Sequence, residues 1–160
     1  MIVRQATTRD LFQIIPLFGE LIHYLRKEGN GDTIFADDAN LVFGGITEFL
    51  AARVNMQLQG ESVRLLVGQD EATGSIVSFL SGIIAVCPRF CRHERLGDIE
   101  YVYPLSFQST PLVREFDAWA QSMGATARIC RGDVKNARAN EVYKTREKSL
   151  HAQNVYLKTY

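Results

Sequence analysis

The sequence predicts a layered α+β fold (α/β/α), with a mixed, mostly antiparallel sheet flanked by helices. Three observations carry this. Residues 11–25 and 41–54 repeat apolar side chains at the three-to-four spacing of a helix. Residues 63–68 and 76–87 are apolar, β-branched runs separated by a short turn that contains Gly74. Residues 99–130 then run strand, helix, strand, a β-α-β unit whose parallel strands need the helix as crossover. The predicted order is βααβββαβαβ, in one domain over residues 1–160.

Residues 1–5 are short and alternating and predict an edge strand. Thr7 or Thr8 can cap the first helix, with Asp10 in its first turn. Its apolar face is Leu11, Ile14, Ile15, Phe18, Leu21, Ile22 and Leu25. Pro16 falls inside that face and predicts a kink or a late start. Gly29-Asn30-Gly31-Asp32 ends the helix. A second helix starts at Asp37 or Asp38 and buries Leu41, Val42, Ile46, Phe49, Leu50 and Val54. Gly44-Gly45 weakens its middle by roughly 1 kcal/mol per glycine, and it ends by Gly60.

The two apolar runs that follow form a hairpin. Residues 88–97 read as a charged loop carrying Arg89, Arg92, Arg95, Cys91 and His93. An apolar strand, residues 99–103, stops at Pro104. Ser109-Thr110-Pro111 starts the next helix, because a hydroxyl caps orphan N–H groups and proline is tolerated at the first position. Trp119 sits at an apolar position of that helix and is expected in the core, as His23 is expected half-buried in the first helix. Gly124 suits a left-handed C-cap. Residues 126–130 are a short buried strand. Asp133 caps a helix over residues 134–148, and residues 153–158 alternate as a last strand.

Apolar residues make up 46% of the chain and charged residues 22%, the composition of a globular domain with a real core. The net charge is zero, which argues against nucleic acid or an anionic membrane as main partner. Three cysteines (Cys87, Cys91 and Cys130) and an early polar run at residues 4–10 predict a reducing, cytoplasmic setting without a secretory signal. No apolar run approaches the roughly 18 residues of a membrane span. Cys87, Cys91 and His93 have an unusual spacing for zinc and lack an evident fourth ligand, so no metal site is assigned.

The element order, together with the runs IVRQATTRD, GDIEYVY and EFDAWAQSMGA, resembles the Gcn5-related N-acetyltransferase family over nearly the whole chain. The best local match is NARANEVYK, where Asn136, Ala139 and Tyr143 keep the family's spacing on the penultimate helix. The resemblance implies the acyl-CoA N-acyltransferase fold, with acetyl-CoA as co-substrate. In that family the pantetheine arm lies in a gap between the fourth and fifth strands. The pyrophosphate is held by N–H groups of the loop opening the next helix. Two departures stand out. The family's glycine-rich pyrophosphate loop is replaced by Leu105, Ser106, Phe107, Gln108, Ser109 and Thr110, with no glycine and no arginine, so the loop is degenerate. Pro104 also removes an N–H near the place where the strand would donate to the ligand.

Carried over residue by residue, the resemblance places Glu100 as the base that deprotonates an amine and Tyr143 as the acid that protonates the leaving thiolate. Val102, Tyr103, residues 105–110 and Asn136 are the cofactor-binding candidates. The competing readings are a Glu100 that pairs with an arginine, a Tyr143 that covers the core, and a loop that is an N-cap and nothing more. Arg128, Arg131, Lys135 and Arg138 lie near the expected cofactor end. The expected function is transfer of acetyl to a primary amine, in a small molecule or a protein, by a monomer or homodimer. The alternative is a catalytically degenerate member acting as a binding or structural module.

Overall fold

The computed structural model describes residues 1–28, 35–89 and 92–130. The predicted helix over 134–148 and strand over 153–158 lie outside the described residues.

Among the described residues, five strands form one sheet in the spatial order β1-β2-β3-β4-β5. They are β1 Ile2–Gln5, β2 Val63–Gln69, β3 Ile76–Val86, β4 Arg95–Tyr103 and β5 Ala127–Cys130. Three helices accompany them: α1 Leu11–Glu28, α2 Ala39–Leu58 and α3 Thr110–Ser122. Neighbours β1 to β4 pair antiparallel, while β4 and β5 are parallel and joined through α3. The meander and the β-α-β unit expected from the sequence are both present, with β1 at the edge. None of the described helices is long and apolar enough to cross a membrane.

The sheet separates two cores. On one face α1 and α2 pack Ile14, Phe18, Leu21, Leu50 and Val54 against Leu65, Val67 and Phe79. On the other, α3 packs Leu112, Phe116 and Ala120 against Leu66, Leu80, Ile84 and Ile99. The alternation of β2 and β3 decides this, since successive residues point to opposite faces. Gly82 and Gly97 let α3 lie close. A Cβ at Gly82 would meet the Phe116 ring at 2.5 Å and the Asp98 carbonyl oxygen at 2.9 Å.

Local signals explain the joints. The Asp38 carboxylate caps α2, accepting from the N–H groups of Asn40 (2.8 Å) and Leu41 (3.0 Å). Asp10 closes the turn before α1. Its carboxylate accepts from the Thr7 N–H at 2.7 Å and from both Arg4 guanidinium arms at 2.8 Å. Arg4 and Thr7 hold that carboxyl down at about 2, the Arg4 hydrogen bonds being the largest cause. Asp70 turns the β2–β3 hairpin by accepting from the Ala72 and Thr73 N–H groups. Gly74 supplies the positive φ of 74° there.

Several expectations are corrected. Pro16 neither delays nor interrupts α1, which starts at Leu11. Phe12 and Pro16 are both exposed, so the carbonyl deprived of its donor lies on the solvent side. Leu41 is not on the buried face of α2 but 66% exposed, because that helix carries apolar residues on both sides. β4 begins at Arg95 rather than 99, since residues 95–98 pair with the end of β3. His23 is exposed rather than half-buried. The hydroxyl that caps the entry to α3 belongs to Ser106, one short 3-10 turn earlier than Ser109.

Candidate active site

A bulge in β4 sets the site. Val102 lies opposite Leu80 and Tyr101 opposite Ser81, but Gly82 lies opposite Ile99. Glu100 is therefore the extra residue of β4, two residues facing one on the partner strand. The phase slips by one at this point. Ile99 and Val102, three apart, both face α3, whereas Tyr101 and Tyr103 pack on the α1–α2 side. Glu100 is turned to the α1–α2 side as well. Its Oε1 lies 2.5 Å from Arg53 Nη2 of α2, and its Oε2 accepts from Ser81 Oγ at 3.1 Å. Arg53 also stacks over the Phe49 ring at 4.8 Å, which fixes the guanidinium.

Among the described residues, β5 pairs with the first half of β4. Pairing with β5 runs from Leu96↔Ala127 to Ile99↔Cys130. Among the described residues no strand pairs with 100–103 on that side.

Past Tyr103 the chain turns through Pro104 into a 3-10 turn, Phe107–Ser109, and then α3. This loop spends its donors on itself. The Ser106 N–H donates to the Pro104 carbonyl (2.8 Å), the Ser109 N–H to the Ser106 carbonyl (3.1 Å), and the Gln108 N–H to Ser106 Oγ (3.3 Å). The Thr110 N–H donates to the Phe107 carbonyl. Ser109 Oγ, buried, reaches the Pro104 and Ser106 carbonyls. Phe107 is half-exposed and Gln108 exposed. Leu105 packs between both cores.

Beside this loop, α1 and the end of β4 enclose a cleft of about 620 Å³. Glu20, His23, Tyr24, Tyr103, Leu105 and Ser106 line it. The Tyr103 hydroxyl donates to Glu20 Oε2 across the cleft. That hydrogen bond, with burial and the carboxylate's charge adding to it, raises the Tyr103 phenol to about 12. Tyr103 stacks on Phe79 with ring centroids 6.3 Å apart, so its ring is fixed from the core side.

No protein-family model matches the chain, and no curated protein does. Solved structures do match. A mutant of the BH1408 protein from Bacillus halodurans is 17% identical, the match covers both chains completely, and the TM-score is 0.76. A predicted acetyltransferase with acetyl-CoA from Clostridium acetobutylicum is 13% identical over 99% of this chain and 95% of that one, with a TM-score of 0.69. An aminoglycoside antibiotic 6'-N-acetyltransferase from Acinetobacter haemolyticus is 14% identical over 100% of this chain and 99% of its own, with a TM-score of 0.68. The chain has the acyl-CoA N-acyltransferase fold. At such identities the likeness is one of fold alone.

Within this N-acyltransferase fold the sequence candidates fall into separate groups. Tyr103, Leu105 and Ser106 meet at the cleft. Glu100 is on the same face but bound to Arg53, the arrangement of the competing reading. The Val102 side chain is buried against α3. Asn136 and Tyr143 lie outside the described residues, as do Cys91 and Arg131, Lys135 and Arg138. Among the described residues no three His, Cys, Asp or Glu side chains gather as metal ligands. His93 instead sits 2.8 Å from Thr126 Oγ1, and Arg95 donates to the Met123 carbonyl at the end of α3. Arg128 pairs with Asp117 at 3.4 Å. Sequence reasoning missed Arg53, Ser81, Glu20 and Tyr24. Glu20 and Tyr24 are one helical turn apart, a pairing signal visible in the sequence. Tyr103, which donates to Glu20, is 83 residues away from it, and sequence spacing does not reveal that contact.

Proposed function

We propose that the protein is an N-acetyltransferase that moves the acetyl group of acetyl-CoA onto a primary amine. The observation that supports this most is the β4 strand, bulged at Glu100 and, among the described residues, without a strand partner on its β5 side from 100 to 103. A thioester arm can lie along such an edge, hydrogen-bonded by backbone groups. The amine nitrogen attacks the thioester carbonyl carbon, the C–S bond breaks, and the CoA thiolate leaves. Glu100 takes the ammonium proton, and Tyr143 returns one to the thiolate. Two of the roughly four acceptor positions of the Glu100 carboxylate are filled by Arg53 and Ser81, which leaves room for a water or an amine proton. Positioning does most of the work in such a reaction.

Acetyl-CoA fits the strand edge better than it fits the loop. At least four amides of residues 105–110 are hydrogen-bonded internally, so a diphosphate has to displace Ser106 Oγ from Gln108 or use the hydroxyls. This observation favours a second reading, a non-catalytic module with the same fold. Isothermal calorimetry with acetyl-CoA at millimolar concentration, followed by thiol-release assays on an amine panel, separates the two. Binding and turnover are expected; absence of any heat with acetyl-CoA defeats the enzyme reading.

A further inference from the structure

We propose that the cleft between α1 and the end of β4 is a recognition site for an organic cation, and that the acceptor is an amine whose positive charge is received by Glu20 between two tyrosines. This deepens the acetyltransferase reading and rests on it only for the word acceptor. The cleft itself stands on its own geometry.

Three features point to a cation. Among the described residues that line the cleft, Glu20 is the one carboxylate, His23 is the one basic side chain, and there is neither lysine nor arginine. The carboxylate is held in place because the Tyr103 hydroxyl donates to Oε2, yet a carboxylate bound once keeps most of its acceptor capacity. Tyr24 and Tyr103 add aromatic walls, whose faces attract ammonium groups.

The cleft is also preformed. Tyr103 is pinned by its stack on Phe79 and by Glu20, so little ordering cost is left for a ligand to meet. Its volume of about 620 Å³ suits a small molecule rather than a folded surface. Pro104 and Leu105 give it an apolar floor, so an amine with a short hydrocarbon or aromatic body is matched at both ends. The same carboxylate repels a diphosphate. The anionic part of a CoA molecule is therefore kept out of this cleft, although Ser106 contributes to its wall.

The test uses the full chain without acetyl-CoA. Phenethylammonium, its neutral isostere 2-phenylethanol, and inorganic diphosphate are titrated separately by calorimetry, with chemical shifts of Glu20, Tyr24 and Tyr103 as a second readout. The ammonium compound is expected to bind and to shift those residues, while the alcohol and diphosphate do not. Glu20→Gln, an exposed helix position that leaves the core untouched, is expected to weaken the ammonium compound about tenfold. Tyr103→Phe keeps the ring and is expected to weaken it less than Glu20→Gln does. The inference is overturned if phenethylammonium fails to bind at millimolar concentration, if Glu20→Gln leaves its affinity unchanged, or if diphosphate competes for the cleft. Failure of acetyl-CoA to bind the same sample defeats the acetyltransferase reading and leaves the cation site standing.

Discussion

Arg53 of α2 and Glu100 of β4 are joined across the boundary between helix and sheet, 2.5 Å apart, with side chains only 17% and 16% exposed. The pair ties the bulge of β4 to the α1–α2 layer, so it fixes the strand whose edge the proposed reaction needs. Removing one partner leaves the other charge half-desolvated. Arg53→Met is therefore expected to lower stability by about 2 kcal/mol in urea unfolding, less than a fully buried pair because some solvent reaches it. Adding Glu100→Gln should recover part of that loss, giving a coupling of about 1 kcal/mol. Strictly additive losses would show that the contact does not hold the bulge.

Asp10 makes folding sensitive to acid. Its carboxyl is lowered from 3.8 to about 2 by hydrogen bonds from Arg4 and Thr7, at a side chain 8% exposed. A depressed folded value means that the stabilisation is complete above the unfolded value, near pH 4, and is lost as pH falls through about 2. A shift of this size corresponds to about 2 kcal/mol. Asp10→Asn should cost roughly that amount at pH 7 and flatten the stability profile between pH 4 and pH 2. Thermal melts across that range measure both.

The fold was legible where a local pattern and the tertiary structure agree. The β2–β3 hairpin has apolar runs on both sides of an Asp70 turn, and α1 has a one-sided apolar face, so both could be read directly. β4 started earlier than expected because Arg95, Gly97 and Asp98 have little strand preference of their own. They are strand because Val86, Ile84 and Ile83 pair with them. The bulge at Glu100 is a register event between two strands, and no one-dimensional pattern encodes it. Buried polar residues were illegible for the same reason. Gln57 looks like a surface helix residue, yet it is buried, donating to the Ala6 carbonyl and accepting from the Leu65 N–H. The candidate site was half legible. The sequence marks Tyr103, Leu105 and Ser106 as cofactor candidates rather than as walls of this cleft, and Arg53 and Glu20 come from helices whose faces look ordinary in sequence.

Gly82 is a packing requirement rather than a flexible joint. An added Cβ meets Phe116 at 2.5 Å and the backbone oxygen of Asp98 at 2.9 Å, and the backbone cannot rotate away. At Gly97 the contacts are longer, 3.0 Å to the Phe116 ring and 3.2 Å to the Ala120 Cβ, so a smaller shift relieves them. Gly82→Ala should therefore destabilise by about 2 kcal/mol and Gly97→Ala by less, as read from urea midpoints. The order of the two losses is the informative result, since equal losses would mean that α3 simply moves out.

Ser106 tests how a loop without glycine works. Its Oγ accepts from the Gln108 N–H and caps the 3-10 turn ahead of α3. Ser106→Ala removes that cap and should cost about 1 kcal/mol of stability. It also frees the Gln108 amide while removing the Ser106 hydroxyl itself. If the loop holds a diphosphate through its hydroxyls, acetyl-CoA should protect the wild-type chain against thermal unfolding and protect Ser106→Ala less. If it holds one through released amides, the variant should bind more tightly, because Gln108 no longer has an internal acceptor. The hydroxyl route is the expected one. The buried Ser109 Oγ keeps the turn closed through the Pro104 and Ser106 carbonyls whatever stands at 106, so one freed amide does not make a nest of converging donors. Unchanged protection in the variant would place the diphosphate elsewhere on the chain.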